Sequence, residues 1–200
     1  MAKKTSKRTS RQSDAVKMLK ADHKLIKKLF DQFNTASADE KTPLANRLCT
    51  ELTIHSTLEE ELFYPAVRSK LKPAYVLESS VKQNSFDMSE AGDVEKQDLD
   101  GEGIDGMKMQ VDEEEDTEDA IAQAYEEHQT MEALIEQLKT LDPRGSDYRK
   151  LFMQFEDAVL EHIAGEETVI LPLAASQLDR HALGAAMQRR RDDLSPLLAA

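Results

Sequence analysis

The sequence predicts an all-α protein, an up-down four-helix bundle with a C-terminal extra helix and a disordered acidic insertion. Four stretches repeat apolar residues at the i, i+3, i+4, i+7 spacing of amphipathic helices. One pattern also occurs twice: a lone histidine is followed 32 or 34 residues later by His-x-x-x-Glu-Glu. Pro65 in the first copy and Pro172 in the second are expected to end the helix that carries the glutamates. The composition, 40% hydrophobic but only 5% aromatic, suits helices more than a sheet sandwich.

The first two predicted helices carry the first copy of the pattern. Helix one is expected to begin at Ser13, and it places His23 among apolar residues three and four positions away. Thr42 is expected to cap helix two, and Pro43 marks its first helical position because proline is favoured there. Helix two then carries His55 and Glu59 on its inner face.

The third and fourth predicted helices carry the second copy. Thr117 is expected to open helix three, which holds His128 on its apolar stripe. This helix is expected to end at Asp142 and Pro143, because a residue before proline is biased out of the helical region. Ser146 is expected to cap helix four, which carries the second His/Glu pair. After Pro172 a short extra helix over residues 177–191 is expected to pack on the outside of the bundle.

Charge is distributed very unevenly along the chain. Residues 78–119 contain 16 acidic residues against three lysines, so this stretch alone matches the whole net charge of −13. Its composition cannot bury enough surface to offset the entropy of ordering, so residues 78–116 are predicted to be a disordered acidic linker. The expected organisation is a basic disordered tail (1–12), one bundle domain (13–191) interrupted by this linker, and a second tail (192–200).

Composition also limits the compartment and the partners. Cys49 is the only cysteine, which excludes a disulfide framework and a cysteine-ligated metal or cluster. No apolar run approaches the roughly 20 residues that span a bilayer. We therefore expect a cytoplasmic protein without a membrane partner. The basic tail is interpreted as solubilising, so no nucleic-acid partner is expected, and the oligomeric state stays open. Its charges are Lys3, Lys4, Lys7, Arg8 and Arg11.

The repeated histidines and glutamates point to metal binding. Histidine at i and glutamate at i+4 are neighbours on one helix face, so both can reach a point beside the helix axis. A single such pair is usually an exposed hydrogen-bonded couple. Here two pairs and two lone histidines all lie beside apolar residues, and burying such groups without partners is costly. The fifth histidine, His181, has no carboxylate four positions later and is interpreted as a surface residue.

The donor types narrow the choice of metal. Imidazole nitrogens and carboxylate oxygens, without a thiolate, suit iron, manganese or zinc and exclude a soft copper site or a cluster. If each of two ions takes two imidazoles and both glutamates bridge, each ion has four protein ligands. Room then remains for a solvent bridge and one open position. An open, redox-capable site predicts reaction with a small diatomic molecule or peroxide, whereas a closed site predicts only a structural role.

At these residues the chain resembles the hemerythrin-like family, also called the HHE cation-binding domain, whose members are four-helix bundles with a non-haem di-iron centre. The resemblance covers residues 13–75 and 117 to about 190 and rests on ADHKLIKKLF, HSTLEEELFYPAV, EEHQTMEALIEQL and EHIAGEETVILPLA, in the family's order. It implies two iron ions as cofactor, with manganese or zinc as alternatives. The ligands that it implies are His23, His55, Glu59, His128, His162 and Glu166.

Two departures from the oxygen-carrying members bear on function. Those members have a second histidine one turn away on the third helix, where this chain has Ala124 and Glu132. They also place a carboxylate five residues after the fourth-helix histidine, a spacing that Glu167 matches, whereas Glu166 mirrors Glu59 at i+4. Glu166 is preferred, with Glu167 as the alternative. The four-histidine, two-glutamate set looks more like the family's stress-response members, which are implicated in nitric oxide or peroxide chemistry.

The expected function is therefore a di-iron protein that binds or reacts with O2, NO or peroxide in a stress response. One alternative is a metal-dependent sensor or iron donor that acts through macromolecular partners, and another is a bundle with a purely structural metal. The sequence assigns no catalytic residue. Tyr125, one turn from His128, is either a hydrogen-bond donor in the pocket or a packing residue.

Overall fold

Helices make up most of what the structure, a computed structural model, describes: residues 13–71 and 105–198. No strand occurs within these ranges, so the all-α prediction is confirmed there, while the up-down order stays a prediction. None of the described helices has the length and apolarity needed to cross a bilayer. The elements are α1 (Ala15–Thr35), α2 (Ala38–Leu58), a π-helical segment (Glu59–Phe63), α3 (Tyr64–Leu71), α4 (Asp105–Lys139), α5 (Ser146–Thr168), α6 (Ile170–Gln177) and α7 (Arg180–Leu198).

The four long helices form two pairs. A two-residue connection at Ala36 and Ser37 joins α1 to α2, and a turn over residues 140–145 joins α4 to α5. Each of these helices packs most closely on the partner that it is joined to. Such short connections make consecutive helices antiparallel neighbours. The two pairs also contact each other, α1 against α5 and α2 against α4, so all four helices enclose one core.

Two clusters of buried apolar side chains fill this core. The phenylalanine cluster is built around Phe30, Phe33, Phe152 and Phe155. The tyrosine cluster surrounds Tyr64 and draws on α1, the π segment, α3 and α6. Along α1, Leu19 belongs to the tyrosine cluster and Ile26 to the phenylalanine cluster, and His23 lies between them. The polar residues of the sequence pattern therefore form a layer between two apolar regions.

The starts of α1 and α2 differ from the sequence expectation. The N-cap of α1 is Asp14, not Ser13, because the Asp14 carboxylate accepts the Lys17 backbone N–H at 3.2 Å. Helix α2 begins at Ala38 instead of at Pro43, which lies inside the helix. The cause is a capping box: the Ser37 backbone N–H donates to the Glu40 carboxylate at 3.0 Å, which satisfies a donor that the helix start leaves free.

The expectation that Pro65 closes the second helix is wrong. The chain passes through the π segment, where the Tyr64 N–H reaches back five residues to the Glu59 carbonyl, and continues as α3. Proline has no N–H to offer the Glu60 carbonyl five residues earlier. The Tyr125 hydroxyl donates to that carbonyl at 3.3 Å instead. Pro172 likewise lies inside a helix, α6, and does not end one.

Three further boundaries correct the predictions. Helix α4 begins at Asp105 and not at Thr117, so residues 105–116 of the predicted acidic linker are helical. The rest of that linker and the tail over residues 1–12 lie outside the described residues. Helix α7 runs to Leu198, so most of the predicted 192–200 tail is helical. It starts at Arg180 because the Asp179 carboxylate accepts the backbone N–H groups of His181 and Ala182.

Helix α7 packs across α1, α2 and the π segment, in agreement with an extra helix on the outside of the bundle. Near its start, Arg180 lies 3.5 Å from the Asp14 carboxylate. Near its end, Arg190 donates two hydrogen bonds to Glu61, at 2.6 and 2.8 Å. Between them Gly184 meets the backbone of Ser13 so closely that a Cβ would lie 2.5 Å from the Ser13 carbonyl oxygen.

We expect Gly184→Ala to lower the free energy of unfolding by about 1–3 kcal/mol, since the added methyl group must push two backbones apart. The matched control is Gly165→Ala on α5, where a Cβ meets nothing within 4 Å. There alanine should stabilise the helix by up to about 1 kcal/mol. Urea unfolding of both variants in the presence of a chelator measures the difference. Equal midpoints for the two variants would contradict this docking of α7.

Candidate metal centre

The structure brings all six sequence-predicted site residues together. Each is at most 5% exposed, and they lie in the layer between the two apolar clusters. Their ligand atoms fall into two groups, within each of which all atoms lie within 4.8 Å of one another. One group joins His23, His55, Glu59 and Glu166, and the other joins Glu59, His128 and His162.

Glu59 belongs to both groups. Its Oε1 lies 3.2 Å from Nε2 of His55, and its Oε2 lies 3.4 Å from Nε2 of His128. The π segment positions it, because Glu59 is the first residue of that segment and follows directly on α2. Glu59 thus faces one imidazole from each of two different helices, as a bridging carboxylate requires.

Glu166 has the corresponding position on the other side of the layer. Its Oε2 lies 3.2 Å from Nε2 of His23 and 3.7 Å from Nε2 of His162. The sequence left Glu167 as an alternative inward-facing carboxylate. That side chain is 37% exposed and reaches the outer nitrogen of His23 at 2.9 Å and Lys27 at 3.5 Å. Glu166, and not Glu167, is the residue that the structure places inside.

Each of the four histidines faces a second carboxylate with its outer ring nitrogen, Nδ1. A carboxylate only accepts, so in the three closer pairs an N–H on Nδ1 donates to it, which leaves the Nε2 lone pair directed at the centre. The pairs are His23 with Glu167 at 2.9 Å, His128 with Glu60 at 2.7 Å, His162 with Glu127 at 2.9 Å, and the looser His55 with Asp22 at 3.6 Å.

The role of these carboxylates outside the layer was not predicted from the sequence, where Glu167 is only an alternative inner ligand, although a signal for them exists. An acidic residue directly precedes each lone histidine, as Asp22 and Glu127, and directly follows each inner glutamate, as Glu60 and Glu167. Asp22 is also bound by both terminal nitrogens of Arg191 on α7. Burial alone raises the pKa of Asp22, but His55 and Arg191 outweigh it and hold that pKa below its usual value.

Tyr64 is a further site residue that the sequence analysis missed. It is fully buried, and its hydroxyl donates to Oε1 of Glu166 at 2.7 Å. Burial, together with the Glu59 and Glu166 carboxylates, raises its pKa well above the usual range, so the phenol keeps its proton. Tyr125, which the sequence offered as a donor in the pocket, packs edge-on against Tyr64 and donates to the Glu60 backbone.

The inner donor atoms lack hydrogen-bond partners. Among the described residues this holds for Nε2 of His23 and of His55, both oxygens of Glu59 and Oε2 of Glu166. The outer nitrogen of His55 also has no hydrogen bond, because Asp22 lies 3.6 Å from it. Burial lowers the pKa of His55, and it lowers the pKa of His128 to about 3, so these imidazoles are neutral. Buried polar atoms without partners cost free energy that a bound cation removes. The residues present therefore fit a metal ion.

His128 and His162 strengthen this conclusion. Their Nε2 atoms lie 3.2 Å apart, while their Nδ1 atoms face Glu60 and Glu127. With an N–H on each Nδ1, two lone pairs point at each other across a dry interior. That arrangement is repulsive unless a positive charge lies close to both nitrogens.

A cavity of about 370 Å³ lies beside the layer, between α2 and α4. His55 and His128 form part of its wall, so it touches the Glu59 side of the layer. Leu52, Met131 and Ile135 line it with apolar surface. The cavity thus gives access to the layer from the face between α2 and α4.

Comparison with known proteins gives two matches. The model of the hemerythrin HHE cation binding domain matches residues 14–101 and again residues 102–174. A protein from Nostoc sp. (strain PCC 7120) named DNA nickase is 22% identical over 162 residues, which are 80% of this chain and 33% of that protein. The chain thus spans about a third of the length of this curated relative. No solved structure matches the chain.

We expect Glu127→Gln to weaken Fe²⁺ binding by about 10- to 100-fold, the usual effect of losing a carboxylate that orients a ligating histidine. The neighbouring Glu126→Gln is the control, because Glu126 is exposed on the same helix. Anaerobic competition with a chromogenic ferrous chelator measures both affinities. If the two variants bind equally well, the outer carboxylate has no positioning role.

Proposed function

The chain belongs to the hemerythrin HHE cation-binding domain family, and we propose that it holds two iron ions and binds or reacts with a small oxidant. The proposed oxidants are O2, NO and peroxide, and the proposed setting is a stress response. The proposal takes the four long helices as an up-down bundle and keeps the predicted cytoplasmic location. The observation that carries it is the pair of Nε2 atoms of His128 and His162 that face each other at 3.2 Å.

The proposed ligands divide by their contacts. His55 and His128 flank Glu59, and His23 and His162 flank Glu166. Glu59 is the proposed bridge, since its donor atoms belong to both groups of clustered ligand atoms. Nitrogen and oxygen donors in these numbers favour iron, with manganese or zinc as alternatives.

When bound, the iron pair supplies redox electrons to an oxidant, and the protein controls what surrounds it. Tyr64 keeps its proton on the phenol and holds Glu166 in place through the 2.7 Å hydrogen bond. The outer carboxylates keep the imidazoles oriented. The two apolar clusters exclude bulk water from both sides of the layer. The cavity beside His55 and His128 offers an approach for a small molecule.

Reaction is favoured over reversible oxygen storage. The positions four before and four after His128, where the oxygen carriers of the family have a further histidine, are Ala124 and Glu132. Ala124 is buried in the tyrosine cluster and offers no donor atom. Glu132 lines the cavity between α2 and α4, away from the clustered ligand atoms.

The name of the Nostoc relative suggests DNA as a different substrate. The cavity beside the proposed centre disfavours it, because Glu60, Glu132 and Glu136 lie in its wall and repel a phosphodiester backbone. The matched region is also only a third of that relative. We therefore do not extend nickase activity to this chain.

Elemental analysis of protein expressed with ample iron, with absorption spectra before and after reduction, tests the proposal. Two irons per chain and a near-ultraviolet band that bleaches on reduction are expected, after which O2, NO and peroxide are mixed in turn with the reduced protein. One zinc per chain and no such band would favour the structural-metal alternative. Iron that changes state once without turnover would favour the sensor.

We expect His162→Ala to lose most of the bound iron and to lower the thermal midpoint, because the other inner donors are left buried without a cation. His181→Ala is the matched control, since His181 is exposed and lies outside the layer. Metal content and thermal unfolding are measured for both variants. Two irons per chain in His162→Ala would remove this residue from the ligand set.

A further inference from the structure

The cavity between α2 and α4 has acidic residues in its wall and reaches the buried layer of polar side chains. Glu60, Glu132 and Glu136 lie in its wall. Glu136 is offset by Lys139 at 2.6 Å, and Glu60 faces Nδ1 of His128. Glu132 has no hydrogen bond or ion pair among the described residues, so its charge is the least compensated of the three.

The inner end of the same cavity carries unsatisfied metal donors. His55 is 1% exposed, and both of its ring nitrogens lack a hydrogen-bond partner among the described residues. It lines the cavity together with His128, and these are the two histidines that flank Glu59. The cavity therefore leads from exposed carboxylates to buried imidazole nitrogens.

Size is compatible with a hydrated ion. Six water molecules occupy roughly 180 Å³ in the liquid. The cavity volume of about 370 Å³ exceeds this. A divalent cation can therefore enter with its first hydration shell and exchange water for protein donors inside.

A second groove, between α4 and α5, provides a comparison. Glu126, Glu127 and Glu161 line it, so it is also acidic. However, no histidine lies in its wall. Negative charge alone thus does not distinguish the two surfaces, whereas the imidazoles of the first cavity do.

We infer that the cavity between α2 and α4 is the path by which a divalent cation reaches the proposed centre, with Glu132 as the residue that attracts it at the mouth. This inference rests on the proposed function, since it assumes that the layer binds metal. Field lines from acidic groups in a cleft raise the local concentration of a cation and hence its rate of uptake. The same field opposes anions and leaves neutral O2, NO and hydrogen peroxide unaffected.

The test is the rate at which the metal-free protein takes up Co²⁺, followed by its visible absorption in a stopped-flow instrument. Glu132→Gln and Glu132→Lys should slow uptake by about threefold and about tenfold at low salt. The difference should shrink near about 1 M salt, where the screening length is about 3 Å. The final amount of bound Co²⁺ should equal that of the unsubstituted protein, because Glu132 is not a proposed ligand.

Matched variants separate this path from general surface charge. Glu126→Lys changes the same charge on the same helix but faces the second groove, and it should leave the rate unchanged. Gln129→Trp narrows the first cavity without changing charge and should slow uptake, whereas Thr130→Trp faces the second groove and should not.

Each outcome decides between the two proposals. Slower uptake in the Glu132 and Gln129 variants alone, with full final binding, supports the path. Equal rates in all variants, or equal slowing in Glu126→Lys, overturn the path and leave the metal centre intact. Absence of Co²⁺ and Fe²⁺ binding by the unsubstituted protein overturns the proposed function and the path together.

Discussion

The constraint on which the rest of the structure depends is a layer of six buried polar side chains between two apolar clusters. A layer of apolar side chains at this position would stabilise the helix packing without needing hydrogen-bond partners or a cation. This layer instead holds imidazole nitrogens and carboxylate oxygens that find no hydrogen-bond partner in the part of the chain that the structure describes. Under the proposed function, a cation bound in the layer contributes directly to the free energy of unfolding. The helix caps, the aromatic packing and the docking of α7 hold the helices in place, so that these donor atoms lie within one small volume.

The outer carboxylates extend this constraint to the surface. Asp22 lies between His55 and Arg191, so a side chain of α7 touches a group that in turn faces an inner histidine. Glu127 and Glu167 make equivalent contacts from partly exposed positions. Position in the sequence accounts for this arrangement. An acidic residue beside each histidine or glutamate of the pattern lies one helical step, about 100°, from the inward direction.

The sequence was sufficient for the all-α class and for the assembly of the six inner residues, because the i, i+4 spacing dictates which side chains share a helix face. It could not decide between Glu166 and Glu167, since i+4 and i+5 straddle the inward direction and only the packed orientation of α5 separates them. It missed Tyr64 for a different reason. The π segment adds a residue to one turn, so the residue five positions after Glu59 returns to the inner face, where a 3.6-residue period does not place it.

That extra residue also makes the two halves of the layer unequal. The position five residues after Glu166 is Leu171, which is apolar and buried in the tyrosine cluster, whereas the position five residues after Glu59 is Tyr64. The phenol donates to Glu166 and orients that carboxylate, while burial and the Glu166 charge raise the pKa of Glu59.

The cavity also contacts the two halves of the layer unequally. It reaches His55 and His128, which flank Glu59, and His23 and His162 are not part of its wall. The half that contains Glu166 and the phenol is thus the enclosed half, and the half that contains Glu59 is the one that the cavity reaches. A repeated sequence pattern has produced two halves with different surroundings, and this cavity opens on the Glu59 half.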